Sequence, residues 1–111
     1  MPKMSYHRNM RVSTLRPVKE FLNKLDDPLR MHVQHVIDLL EQYGHTLSMP
    51  YAKPIGRGLW ELRYTGRPHI RVIYGICRGS AVLVLGFKKQ RSASKQRDMV
   101  LACKRLAEYC A

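Results

Sequence analysis

The sequence predicts an α+β domain in which two N-terminal helices and one C-terminal helix pack on one face of a twisted antiparallel sheet of three or four strands. Three observations carry this expectation. The segments GLWELRY, HIRVIYGIC and AVLVLGFK are rich in β-branched and aromatic residues, and Thr65-Gly66-Arg67-Pro68 and Arg78-Gly79-Ser80 between them read as hairpin turns. Apolar residues recur at helical spacing both before and after this stretch. The 111 residues suit one domain with a single core, spanning 1–111.

Taken in order, residues up to about Met10 show no period and read as a loose N-terminal arm, 1–10. Val18, Phe21, Leu22 and Leu25 predict a short helix from about Leu15 to Leu25. Asp27 then serves as an N-cap with Pro28 at the first helical position. An apolar stripe through Leu29, Val33, Val36, Ile37, Leu40 and Tyr43 continues to Gly44, which stops the helix. After Ser48-Met49-Pro50, residues Tyr51 to Ile55 predict a short edge strand, because Pro54 cannot donate to a central ladder. Ala81 to Phe87 is apolar on both faces, so that strand should be central or covered. Ser92-Ala93-Ser94 offers an N-cap for a final helix to about Tyr109, with Val100, Cys103, Leu106, Ala107 and Cys110 on its buried stripe. With the helices on one face, the other face of the sheet stays open to a partner.

Side chains alternate faces along a strand, so each charge can be placed. Trp60, Leu62, Tyr64, Ile70, Val72, Tyr74 and Ile76 fall on the core face, and Glu61, Arg63, His69 and Arg71 fall opposite. A three-residue loop at Gly66-Arg67-Pro68 sets Arg63 across from Arg71. A two-residue loop at Arg78-Gly79 sets Arg71 across from Gly86 and His69 across from Lys88, while pairing Tyr74 with Leu83, Val72 with Leu85 and Ile70 with Phe87. The non-core face then holds two neighbouring arginines, Lys88 diagonal to one of them, and a glycine that leaves the middle open. Directly opposed like charges about 5 Å apart repel unless an anion separates them, so the arrangement reads as a phosphate site. The competing reading is a plain solvent face with long cationic stems lying over apolar neighbours.

Twenty Lys plus Arg against eight Asp plus Glu leave a net charge of +12, which points to polyanionic partners, nucleic acid first. No apolar run is long enough to span a bilayer and the N-terminus lacks a signal-peptide core, so no membrane is expected and the protein should be cytoplasmic. The three cysteines are odd in number, and Cys103 and Cys110 lie roughly 10 Å apart along a helix, too far to bridge each other. No CxxC or clustered His/Cys spacing suggests a metal, and no cofactor is expected. PIGRGLW is not a phosphate-binding glycine loop, no exposed Cys/His pair stands out, and His32 and His35 belong to the surface of the second helix.

A cation-rich site without metal suits RNA cleavage, where the substrate's own 2′-hydroxyl is the nucleophile. The protein need only orient the phosphate, stabilise charge on its oxygens and help move protons. Arginines grip phosphate oxygens in two-point contacts, and a lysine among other cations has its pKa lowered toward acid–base work.

KPIGRGLWELRYTGRPHIRVIYGI, followed by VLVLGFKKQRSAS and preceded by FLNKL, LLEQYG and HTLSMPYAKPI, resembles the RelE/ParE superfamily of bacterial toxins, in its HigB-like, phage-derived branch. The resemblance covers roughly Phe21 to Tyr109. It implies a type II toxin that cuts mRNA, usually on the 70S ribosome with mRNA in the A site, and that a helix-turn-helix (HigA-like) antitoxin neutralises. Arg63 falls at the family's ELR arginine, Arg71 at its second-strand arginine, and Lys88 and Lys89 at the basic pair ending the last strand; these four are the implied catalytic residues. Lys53, Arg57, Arg67, Arg91 and Lys95 form the implied RNA-binding rim, and Glu61 is an orienting partner. Many relatives carry a catalytic Tyr or His near the C-terminal end, whereas Tyr109 here is almost terminal. Two other readings share these residues: a ParE-like toxin that poisons DNA gyrase without nuclease chemistry, and a basic nucleic-acid-binding module.

Overall fold

A computed structural model describes residues 9–89 and 95–111. The elements run β1 (Val12–Thr14), α1 (Arg16–Asn23), α2 (Asp27–Tyr43), a 3-10 turn (Gly44–Thr46), β2 (Ala52–Gly56), β3 (Leu59–Tyr64), β4 (Ile70–Cys77), β5 (Ser80–Lys88) and α3 (Lys95–Cys110). They form an α+β fold around one five-stranded sheet in the order β1-β5-β4-β3-β2. The β2, β3, β4 and β5 meander is antiparallel, and β1 runs parallel to β5.

The first strand falls between the expected arm, 1–10, and the first expected helix, where the sequence predicts no element. Three β-branched or hydroxyl residues give no readable period; β5 supplies the pairing, with Ala81 donating to the Arg11 carbonyl and Leu15 to the Leu83 carbonyl at 2.9 and 3.1 Å. Met10 is buried in the core and its amide donates to the Glu41 carbonyl at 2.8 Å, so this end of the expected arm is tied down. Helix α2 begins one residue earlier than expected: Asp26, not Asp27, is the N-cap, accepting from the Leu29 amide at 3.1 Å. Gly44, at φ 56°, ends it in a conformation that disfavours residues with a Cβ.

The helices do not share a face. α1 and α2 cover Leu62, Ile70, Val72, Tyr74 and Leu83, where Val18, Leu40, Ile70, Val72 and Leu83 are almost fully buried. Each such side chain contributes about 1.5–3 kcal/mol of burial. α3 packs on the opposite face against Leu59, Ile73, Cys77, Val82 and Val84. The face expected to remain open is therefore half covered. Its buried stripe uses Met99, Ala102, Cys103, Leu106 and Cys110, while Val100 and Ala107 point to solvent. The apolar second face of β5 and β4 requires this cover, and Gly75 permits it, because a Cβ there would collide with Leu106. The expected N-cap at Ser92-Ala93-Ser94 lies outside the described residues.

The Arg78–Gly79 hairpin has the two-residue form expected, with φ 51° and 82°. From there Tyr74 pairs with Leu83 as expected, but a β-bulge follows: Ile73 pairs with Leu85, Val72 with Gly86, Arg71 with Phe87 and Ile70 with Lys88. Val84 is the extra residue. Arg105 of α3 donates to the Val84 carbonyl at 2.8 Å, satisfying an acceptor at the bulge. α3 is pinned at its far end by a Cys77–Cys110 disulfide across 33 residues, with Arg78 donating to the Cys110 carbonyl at 3.3 Å. Cys103 is free.

Candidate functional site

The β3–β4 hairpin places Arg63 directly opposite Arg71, in the register that the turn predicts. Glu61, one step along the same face, sits between them: its Oε1 is 3.7 Å from both Arg63 Nε and Arg71 Nε. Both Nε atoms are buried without a hydrogen-bond partner. Arg71 is only 5% exposed. Its Nη1 donates to the backbone carbonyls of Tyr64 and Ile70 at 3.2 and 3.1 Å. Burial lowers the pKa of this guanidinium, the neighbouring Arg63 charge lowers it further, and Glu61 opposes both. The arginine stays charged because its ordinary value is so high. Arg63 is more open, its side chain 25% exposed, with Nη1 against Met49 Sδ at 3.6 Å.

The bulge changes the third member of the cluster. Because it shifts β5 by one residue, Lys88 pairs with Ile70 and takes the parity of the α1/α2 face, away from the arginines. Gly86 likewise turns toward α1, where a Cβ would approach the Phe21 ring at 2.6 Å. Phe87, rather than an open glycine, stands across from Arg71. Lys89 takes the arginine side instead. Its amide donates to the His69 carbonyl at 2.8 Å, and it lines a cavity of about 120 Å³ with Ile55, Glu61, Ile73, Phe87, Asp98 and Met99.

Of the expected rim, Lys53 pairs with Glu61 across β2–β3 and is exposed on the same face, and Arg67 is exposed in the β3–β4 loop at the arginine end. Arg57 lies in the β2–β3 turn at φ 57°, at the other end of the hairpin. Lys95 opens α3, and Arg91 lies outside the described residues. Tyr109 is ten residues beyond Met99 on α3, roughly 15 Å along the axis, where its hydroxyl meets Ser13 Oγ at 3.2 Å. It is therefore remote from the arginines. His69 and Asp98 had not been singled out for the site. Two residues before Arg71, His69 has the same strand parity, and its Nδ1 is buried without a partner. Alternation already puts His69 on this face without giving it a role; Asp98 reaches the site only because α3 crosses this face. Among the described residues no group of three or more His, Cys, Asp or Glu could hold a metal ion, and no helix is long and apolar enough to cross a membrane.

Residues 20–107 match the family model described as Phage derived protein Gp49-like (DUF891). The chain belongs to this Gp49-like family. No curated protein matches the Gp49-like chain significantly. Among solved structures it is similar to a chain of the toxin-antitoxin complex RelBE2 from Mycobacterium tuberculosis, with a TM-score of 0.57 and 18% identity over 80% of this chain and 98% of that one. At that identity the likeness is one of fold.

Proposed function

We propose that this Gp49-like chain is the toxin of a type II toxin-antitoxin system and acts as an endoribonuclease on mRNA in the 70S ribosome, in the cytoplasm, without a metal. The observation that carries the reading is the opposed Arg63–Arg71 pair around one oxygen of Glu61, a residue that also lines a cavity edged by Lys89. The fold shared with a chain of a toxin-antitoxin complex supports it, as does the net charge of +12. A helix-turn-helix (HigA-like) antitoxin is the proposed partner, and acidic cover over the cationic face is the simplest way to silence it.

In the proposed reaction the 2′-hydroxyl oxygen of the RNA bonds to phosphorus as the bond to the 5′-oxygen breaks, leaving a 2′,3′-cyclic phosphate and a free 5′-hydroxyl. Arg63 contacts the phosphate oxygens, and Lys89 contributes charge and a proton for the 5′-oxygen. Arg71, bound to two carbonyls, adds its field from behind and fixes Glu61, so it is a positioning residue. The rim cations Lys53, Arg67, Arg91 and Lys95 guide the backbone, while Lys88, on the opposite face, and Arg57, at the far end of the hairpin, add only to the overall positive field. The imidazole of His69, whose buried Nδ1 has no hydrogen-bond partner, is the proposed acceptor of the 2′-hydroxyl proton.

Induced expression followed by primer extension on cellular mRNA tests this reading. In-frame cuts within translated regions are expected. Growth arrest with intact mRNA and broken DNA would replace the nuclease with a gyrase poison.

A further inference from the structure

We propose that the cavity beside the arginines is a nucleobase pocket selective for guanine, with Asp98 receiving the base's Watson–Crick edge. This inference rests on the RNA-cleaving reading and names which base the site takes.

The cavity lies between the β3–β4–β5 face and the first turn of α3. Four of its lining residues are apolar, Ile55, Ile73, Phe87 and Met99, and three are polar, Glu61, Lys89 and Asp98. Apolar walls with a few convergent polar groups are the usual make-up of a small-ligand site. Phe87 lines the cavity together with Lys89, one of the two cations proposed to act at the phosphate, and with Glu61, whose Oε1 lies 3.7 Å from Arg63 Nε, the other. A base and its phosphate belong to one nucleotide, and Glu61 joins the two sites, lining the cavity while lying against Arg63. Stacking on an aromatic ring tolerates every base, so discrimination falls to the polar groups.

Those groups match one base. A carboxylate accepts two hydrogen bonds side by side, and guanine is the base whose edge offers two adjacent donors, N1–H and the N2 amino group. Its O6 and N7 acceptors suit an ammonium such as that of Lys89. Adenine and cytosine each set a bare acceptor nitrogen beside their amino group, and uracil sets carbonyls on both sides of its single N–H; each would place an acceptor against the carboxylate. Of the two carboxylates, Glu61 is held between Arg63 and Arg71, whereas Asp98 forms no ion pair among the described residues. Asp98 is therefore the reader.

The test titrates the full-length protein with GMP, IMP and AMP, followed by NMR shifts of the Phe87 and Met99 side chains. GMP should bind most tightly and IMP, which lacks the 2-amino group, several-fold more weakly. Asp98→Asn should cost GMP about 5- to 150-fold in affinity, the range for losing one bidentate base contact, while leaving AMP unchanged. Asp98→Ala should do the same, and the IMP comparison needs no variant. Equal binding of GMP and AMP by the unaltered protein, or wild-type GMP affinity in folded Asp98→Asn, would overturn the pocket. Since these titrations require no cleavage, guanine selectivity in a protein that cuts no RNA would sustain the pocket and overturn only the nuclease reading. Cleavage without base selectivity would do the reverse.

Discussion

At Glu61 a single carboxylate oxygen lies 3.7 Å from the Nε of both Arg63 and Arg71. Two guanidiniums opposed across a strand pair repel, and this carboxylate offsets that repulsion with no substrate bound. Glu61→Gln should therefore destabilise the fold by about 1–3 kcal/mol, the cost of leaving buried charged groups unmatched. Thermal melting should also recover part of the loss in phosphate buffer, where an anion can take the carboxylate's place. Equal melting of the variant with and without phosphate would argue that nothing binds between the arginines. The opposition of Arg63 and Arg71 was legible because a turn fixes register. The near-complete burial of Arg71 was not, since alternation assigns a face and says nothing of depth; Arg71 lies on an inner strand with Arg63 and Phe87 opposite it on either side, and its guanidinium is held down by the carbonyls of Tyr64 and Ile70.

Among the elements, β5 decides what the site contains. Its bulge at Val84 turns Gly86 toward α1 and brings Phe87 and Lys89 to the arginine side. Nothing in AVLVLGFK marks the inserted residue, because the strand is apolar on both faces and either register buries it well. The acceptor at the bulge is satisfied by Arg105, about twenty residues on, so the signal is tertiary. Gly86→Ala separates the two registers. With the bulge, its methyl presses on Phe21 and should cost about 1–3 kcal/mol, lowering the melting temperature by roughly 4–20 °C. In the unbulged register the same methyl would stand over the open cationic face, and an unchanged melting temperature would show it. The two N-terminal helices, their Gly44 stop and the β2 edge strand followed from periodicity and punctuation, whereas β1 exists only by virtue of pairing with β5.

Across the whole molecule, α3 covers half of one face of the sheet and carries Asp98 to the cavity, and it is fixed at its far end by the Cys77–Cys110 bond. Three cysteines read along the chain gave no pairing, because Cys77 and Cys110 meet only when α3 lies back along β4. A cross-link closing 33 residues should contribute about 3–4 kcal/mol by restricting the unfolded chain. Cys110→Ser, or reduction, should lower the melting temperature accordingly, and identical melting with and without reductant would mean that packing alone holds the helix. Such bonds are rare in reducing compartments, so the thiol state inside cells sets how firmly α3 is held. The most direct test of the account as a whole is the cleavage rate of a defined mRNA on programmed ribosomes by the wild type and by Arg63→Ala, with affinity measured alongside. The loss of one preorganised contact to the phosphate predicts a rate lower by about 10²- to 10³-fold, with affinity for the programmed ribosome changed far less because many other cations contribute. A folded Arg63→Ala variant that cuts at the wild-type rate would contradict the account and place the chemistry elsewhere on the molecule.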